Sequence, residues 1–223
     1  MDWIREIDGY CERLSADYWA EPINAITNAA FLIAAWIMWR RVRDQDMPLA
    51  KGLVVILAMI GIGSYLFHTH ARVWAALADV VPILLFILVY IYAVNRDICR
   101  MSSGLAFVGM ILFLPYAAAV APLFQRVPGI GGSAAYAPVP LLILIYAFLL
   151  RGNDPNLARA MTLGALILIL SITFRALDLQ ICKQWPMGTH FMWHILNAIM
   201  LGWMIEVYRA AFIRGRFDDG LGP

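Results

Sequence analysis

The sequence predicts an all-α, polytopic membrane protein built as a seven-transmembrane helix bundle. Hydrophobic residues make up 62% of the chain and charged residues 14%, and the mean hydropathy is +0.73. Soluble domains are roughly 45–50% apolar and about 25% charged, so the composition excludes an ordinary soluble fold. A formal net charge of +2 gives no basis for nucleic-acid binding. We therefore expect the chain to reside in a lipid bilayer and to bind no nucleic acid.

Seven apolar runs supply the helices, because a bilayer core takes about 20 helical residues to cross. In chain order they cover residues 22–42, 48–67, 73–94, 104–123, 135–150, 157–181 and 188–212. The connections are short, apart from the Gly- and Pro-rich stretch after the fourth run. We expect one domain over 1–223, with a segment 1–20 before the first helix and a tail 213–223 after the last. Segment 1–20 has no apolar core behind a basic start, so it does not resemble a cleaved signal peptide.

Basic residues predict the orientation, since cytoplasmic loops retain Lys and Arg. Most of them lie in the connections after the first, third and fifth runs and in the C-terminal tail. The other connections and the N-terminal segment hold few. The N-terminus is therefore predicted outside and the C-terminus in the cytoplasm.

All four histidines lie near helix ends at the predicted outer face. His68 and His70 end the second run, and His190 and His194 begin the seventh. His190 and His194 are four residues apart and share one helical face, as a divalent metal requires. That pair alone is more typical of polar side chains that hydrogen-bond between helices. A third histidine at the same depth favours a catalytic zinc site, in which three nitrogen ligands leave a fourth position for water.

Helical geometry selects the third histidine. Ser64 and His68 share a face, whereas His70 is turned by roughly 200° from His68 if the helix continues. We therefore predict His68 as the ligand, and His70 either as a residue of the membrane interface or as a neighbour of the metal ligands. His70 as a fourth ligand would close the site to water.

Two further polar groups lie at the same depth. Asp79, inside the third run, would cost roughly 2.5–3.5 kcal/mol to insert, so we expect it to face the bundle interior. It either hydrogen-bonds to another helix or accepts a proton from a metal-bound water. Ser64 either donates to a developing oxyanion or, with the glycines of "GIGS", allows close helix packing.

Other polar residues inside the runs have structural interpretations. Asn24 and Asn28, four apart in the first run, are predicted to hydrogen-bond between helices or to contact the site. Arg175 and Asp178, three apart in the sixth run, are predicted to pair with each other.

The motifs resemble those of a known group of membrane hydrolases. "S-x-x-x-H" at the end of one span, an aspartate eleven residues later, and "H-x-x-x-H" opening the last of seven spans resemble the CREST superfamily. "DGYCER" followed by "EPINAITN" resembles the alkaline ceramidases, especially their bacterial relatives. The resemblance implies zinc ligands at His68, His190 and His194 and catalytic groups at Ser64 and Asp79. It also implies hydrolysis of the N-acyl bond of ceramide or a related N-acyl lipid to a fatty acid and an amine, in a bacterial inner membrane with the site toward the periplasm.

The resemblance implies two more features of the outer side. The first is a calcium ion, with hard oxygen ligands that fall on Asp8, Tyr10, Glu12 and Glu21. Their spacing differs from that of the animal enzymes, and solvated surface carboxylates are the alternative. The second is a disulfide between Cys11 and Cys182, which an oxidising outer compartment permits. Cys99 lies in a predicted cytoplasmic connection.

Three other functions fit part of the pattern. A receptor of the progestin and adipoQ type shares the zinc motif but places its N-terminus in the cytoplasm, opposite to the orientation predicted here. A lipid esterase would use the same residues. A metal or proton transporter would need ionisable residues at mid-membrane and on both sides, whereas here they cluster in the outer half.

Overall fold

A computed structural model describes residues 2–218 of the chain, with side chains for 2–215. Seven helices are long and apolar enough to cross a membrane within that part: Pro22–Val42, Pro48–His70, Val73–Ile98, Ser103–Phe124, Gly131–Leu150, Pro155–Ile181 and His190–Gly215. The predicted all-α seven-span class is confirmed. The orientation of the termini stays a prediction. Of the predicted tail, residues 219–223 lie outside the described part, as does Met1 of the N-terminal segment.

Several spans are divided into shorter elements. The first three spans consist of α1 (Pro22–Thr27), α2 (Ala29–Val42), α3 (Pro48–His70) and α4 (Val73–Ala93), which continues as a π-helical turn at Val94–Ile98. The fourth and fifth consist of α5 (Ser103–Ile111), α6 (Phe113–Phe124), a 3₁₀ turn (Gly131–Tyr136) and α7 (Pro138–Leu150). The last two are α8 (Pro155–Ile181) and α9 (His190–Asp218). The fifth span thus begins at residue 131, four residues before the predicted start at 135, because the 3₁₀ segment before α7 belongs to it.

The helix starts follow ordinary rules of helix capping. Proline stands in the first turn of α1, α3, α7 and α8, where its fixed φ suits the helix and its missing N–H leaves no bond unmade. Asp154 caps α8, since its carboxylate accepts from the Leu157 amide at 2.9 Å.

Glycines on α3 bring three helices close together. A Cβ at Gly63 would lie 1.9 Å from the Ala78 carbonyl oxygen of α4, and one at Gly61 would lie 2.9 Å from Cβ of Phe31 on α2. Only glycine permits either approach. The glycines of the "GIGS" stretch therefore allow close helix packing, as predicted. The contact at Gly63 sets how α3 and α4 align beside Ser64 and Asp79.

The apolar core lies among α2, α3, α4, α8 and α9. The N-terminal segment runs across one end of this core and pairs with the α3–α4 connection. The Ile7 amide donates to the Ala71 carbonyl at 2.8 Å, and the Val73 amide donates to the Arg5 carbonyl at 3.2 Å. The segment therefore covers the end of the bundle where α3 ends and α9 begins, which is where the histidines lie.

Candidate metal centre

Three histidines from two helices meet at the covered end of the bundle. His68 stands in the last turn of α3, and His190 and His194 stand in the first two turns of α9. All three are at most 2% exposed, and one ring nitrogen of each lies within 4.8 Å of the others. No other group of three or more His, Cys, Asp or Glu side chains in the described part of the chain comes together in this way.

Neighbouring oxygens fix the tautomers of two of these histidines. Glu21 Oε2 lies 2.6 Å from Nδ1 of His68 and accepts a hydrogen bond from it. The Thr27 hydroxyl lies 2.9 Å from Nδ1 of His194, and because that hydroxyl already donates to the Ile23 carbonyl at 2.8 Å, it accepts from the imidazole. Both arrangements leave the lone pair of Nε2 free, which is the state in which histidine binds a metal.

Each of the three histidines has one ring nitrogen that is available to bind a metal ion. Nε2 of His68, Nδ1 of His190 and Nε2 of His194 are buried and have no hydrogen-bond partner in the protein. A buried, unsatisfied polar atom costs about 1–3 kcal/mol, so three of them together are unfavourable unless a ligand satisfies them. The group could hold a metal ion, and three imidazoles match the ligand set of catalytic zinc.

Tyr10 forms one wall of the histidine cluster. Its ring stacks on the ring of His190 with centroids 3.7 Å apart and lies 5.2 Å from that of His68. Burial raises the pKa of the Tyr10 phenol, so the group stays neutral in the physiological range.

His70 lies apart from the cluster. Its ring contacts the rings of Tyr18 and Trp74, with centroids 5.2 and 5.0 Å away. The structure thus places His70, half-buried, among aromatic residues outside the cluster, turned away from it as the helical geometry predicts.

Ser64 and Asp79 lie next to each other beside the histidines. The Ser64 side chain contacts the Asp79 carboxylate, which also interacts electrostatically with His68 and Arg175. Ser64 is 3% exposed, whereas Asp79 is half-buried. The sequence-predicted pair therefore stands together beside the histidines.

The predicted pair of Arg175 and Asp178 is wrong. The Asp178 carboxylate instead accepts from the backbone amides of Thr189 and His190, at 2.7 and 2.9 Å, and from that of Cys11 at 3.0 Å. An acidic group is favoured there because the first amides of a helix carry partial positive charge. Asp178 thereby positions the start of α9, and with it His190.

Gly188 makes this arrangement possible. Its φ is +62°, and a Cβ there would lie 2.0 Å from Oδ1 of Asp178. A residue with a side chain would be strained and would displace the carboxylate.

Arg175, which the sequence pattern assigned only to a pair with Asp178, is a further residue of the site. It donates to the Ser133 hydroxyl at 2.9 Å and to the Tyr10 hydroxyl at 3.4 Å. Its guanidinium lies over the rings of Tyr136 and Trp193, at 5.0 and 5.7 Å from their centroids. It brings a positive charge close to Asp79.

The residues that the resemblance assigns to calcium have other partners. Both oxygens of Glu12 accept from backbone amides of the first turn of α1, those of Ile23 at 2.6 Å and Asn24 at 2.8 Å. Glu21 is bonded to Arg13 and His68, and the Tyr10 side chain turns toward His190. Asp8 joins no metal-capable group of described residues. The calcium prediction therefore finds no support in the geometry.

The two asparagines of the first span lie beside these residues. The Asn24 amide donates to Glu21 Oε2 at 3.1 Å, and the Asn28 amide donates to the Asn24 carbonyl at 2.8 Å. Asn24 thus touches the group that holds His68, while Asn28 bonds within its own span.

The two cysteines that the resemblance pairs are joined in the structure. Cys11 is bonded to Cys182, 171 residues away in the sequence.

An apolar cavity lies deeper in the bundle. It has a volume of about 50 Å³ and lies among α4, α7, α8 and α9. Its lining includes Phe86, Tyr90, Ile143, Met161, Leu201 and Met204. Because α4 carries Asp79 and α9 carries His190 and His194, two helices of the site continue directly into the cavity wall.

Comparison with known proteins agrees with the motifs. No curated protein matches the chain. A family model described as Ceramidase matches residues 7–214, a range that holds every residue of the histidine cluster together with Ser64 and Asp79. The resemblance predicted from the sequence is thereby confirmed, and the chain belongs to the ceramidase family.

Proposed function

We propose that this protein is a zinc-dependent intramembrane amidase that hydrolyses the N-acyl bond of ceramide or a related N-acyl lipid. Family membership makes it a hydrolase acting on the amide bond of a lipid, and its helices make a bilayer its environment. The observation that carries the zinc assignment is the cluster of three buried imidazoles, each with one ring nitrogen unpartnered within the protein.

The metal ligands in this proposal are His68, His190 and His194. A zinc ion held by three imidazoles supplies Lewis-acid polarisation of a carbonyl and acidifies a water molecule to a pKa of about 7. Glu21, Thr27 and the Tyr10 ring hold the imidazoles in place through the contacts described above, which lowers the cost of assembling the site.

Asp79 is proposed as the group that moves the proton. It accepts a proton as water adds to the amide carbon, and it returns that proton to the amide nitrogen as the C–N bond breaks. The products are a fatty acid and an amine. Its contact with Ser64 and its electrostatic interactions with His68 and Arg175 support this role.

Ser64 is proposed as a hydrogen-bond donor to the carbonyl oxygen. Negative charge develops on that oxygen when the carbon becomes tetrahedral, and a donor fixed in a buried site stabilises that charge without reorganising. Two observations support this role. Ser64 is buried, and it directly follows Gly63, whose close contact with α4 holds this part of α3 in place.

The deeper cavity supports a lipid substrate. Its lining is wholly apolar, which suits part of an acyl chain, and it lies further along α4 and α9, the helices that carry Asp79 and two of the histidines. A lipid amide is therefore proposed to bind with its polar group at the covered end and its acyl chain toward the bundle centre.

The experiment compares two matched histidine variants in purified full-length protein. His194→Ala is expected to lose both bound zinc and hydrolysis, while His70→Ala keeps both. Zinc is measured by mass spectrometry of the metal, and fatty acid release is measured over a panel of N-acyl lipids and matching esters, with and without chelator. Full activity of zinc-free protein would refute the zinc assignment. Release from esters alone would instead make the protein a lipid esterase.

A further inference from the structure

Arg13 is a buried cation surrounded by oxygen atoms. Its side chain is 5% exposed, and Nε donates to Glu21 Oε1 at 2.5 Å. The two terminal nitrogens donate to main-chain carbonyls: those of Ser15 at 3.1 Å and Asp17 at 3.5 Å, and that of His68 at 3.0 Å. One carboxylate and three carbonyls thus converge on a single positive charge.

This oxygen cluster is the kind of site that a hard divalent cation also prefers. Calcium takes carboxylate and carbonyl oxygens, and Glu21 is among the residues that the resemblance assigned to it. Here, however, the positive charge comes from the chain itself. Of the two acidic residues that most closely precede Glu21 in the chain, Glu12 has both oxygens engaged by backbone amides of α1, and the Asp17 carboxylate accepts from the Ser15 hydroxyl at 2.8 Å. A calcium ion would have to displace the guanidinium from these oxygens.

We propose that the Arg13 guanidinium takes the place of a calcium ion and acts as a positioning residue for the metal ligand His68. It reaches His68 in two ways: directly through the His68 carbonyl, and through Glu21, whose other oxygen accepts from the His68 ring. The inference rests on the proposed function, because it takes His68 as a ligand of the catalytic metal.

The two kinds of cation differ in one functional respect. A guanidinium is always charged and cannot dissociate from the chain, and its planar set of donors fixes the directions of the oxygens around it. The histidine cluster should therefore be assembled at any calcium concentration. A bound calcium ion would instead make the metal centre depend on the calcium level outside.

Calcium binding is tested directly on the full-length protein in lipid nanodiscs. Equilibrium dialysis with radiolabelled calcium is expected to show no binding at concentrations up to about 1 mM, the weak end of the range for protein calcium sites. Hydrolysis should be equally fast in calcium-depleted buffer and in buffer with added calcium. A saturable site below that concentration, or a rate that rises with calcium, would overturn the inference.

The positioning role is tested with cobalt as the probe at the histidines. Arg13→Gln and Arg13→Lys are expected to weaken Co²⁺ binding about 10- to 100-fold, the usual effect of removing a group that orients a metal ligand, and to change its visible absorption spectrum. Arg126→Gln, at an exposed position, should leave both unchanged. Added methylguanidinium should restore the spectrum of Arg13→Ala. Unchanged affinity and spectrum in all three Arg13 variants would refute the role.

The two proposals fail in different ways. Absence of Co²⁺ binding by the unmodified chain would overturn the proposed metal centre and with it the positioning role. The calcium dialysis would still decide whether Arg13 fills the cation position, since that measurement does not depend on the histidines.

Discussion

Glu21 Oε2 accepts a hydrogen bond from His68 Nδ1 across 2.6 Å, and this bond joins the residue directly before α1 to the histidine cluster. Burial alone would raise the pKa of the Glu21 carboxyl, but its bonds to His68 and Arg13 outweigh burial and hold the pKa below its usual range. The carboxylate is therefore ionised. An ionised partner orients the imidazole and increases its basicity toward a metal.

Neutralising this carboxylate should weaken the metal centre. Glu21→Gln keeps the shape of the side chain but removes its charge, so metal affinity should fall by about 10- to 100-fold. Competition against a chromogenic chelator measures the change. Glu6→Gln, at an exposed position of the N-terminal segment, is the control and should bind metal normally. Equal affinities of the two variants would show that the bond does not tune His68.

Asp79→Asn should separate catalysis from metal binding. The amide cannot accept the proton, so kcat should fall by about 10²- to 10⁴-fold, the usual contribution of a general base. Metal content should stay that of the unmodified protein, because Asp79 is not among the three ligands. Measuring kcat and bound zinc on one preparation checks both parts. Loss of the metal with the activity would instead indicate that Asp79 has a structural role.

Ser64→Ala removes a donor without altering the helix. If the hydroxyl stabilises charge on the carbonyl oxygen, kcat should fall by about 10²- to 10³-fold, with little change in KM. Ser102→Ala, at the N-cap of α5 in another part of the bundle, should retain full activity. If the Ser64→Ala protein hydrolyses lipid amides at the normal rate, Ser64 serves only in helix packing.

The Cys11–Cys182 bond should be detectable by counting thiols. In denatured, unreduced protein only Cys99 should react with a maleimide, and after reduction all three cysteines should react. Cys11→Ser should destabilise the fold by about 2–4 kcal/mol, since the bond closes a long loop of the chain. Thermal unfolding with and without reductant measures this effect. Three reactive thiols before reduction would contradict the pairing.

The spans and the three clustered histidines could be predicted because both depend on periodicity along single helices. Apolar length gives the spans, and the separations of Ser64 from His68 and of His190 from His194 give shared faces. Their approach to one another in space follows from the depth at which each helix ends. None of these features depends on how the loops fold.

The remaining contacts of the site depend on how non-helical segments fold. Arg13 reaches His68 only because residues before α1 fold back over the bundle, and Asp178 meets the Thr189 and His190 amides only because of the turn at Gly188. Spacing on α8 suggested a partner three residues away, Arg175, and was wrong. An ion pair with Arg175 would satisfy Asp178 through one side chain, whereas the N-terminus of α9 offers its carboxylate several backbone amides at once.

Gly63 should be the most sensitive position for the geometry of the catalytic pair. In Gly63→Ala the new Cβ would overlap the Ala78 carbonyl, a backbone atom that cannot rotate away, so α3 and α4 must separate. Such overpacking typically costs about 1–3 kcal/mol. It should also move Ser64 away from Asp79, and a displacement near 1 Å can lower the rate about 10²-fold.

Gly52→Ala on the same helix is the matched control for Gly63→Ala. A Cβ at position 52 meets nothing within 4 Å, and alanine favours the helix by about 0.5–1 kcal/mol. Thermal unfolding and kcat are measured for both variants. A Gly63→Ala protein as stable and active as Gly52→Ala would show that the close approach of α3 and α4 does not set the site.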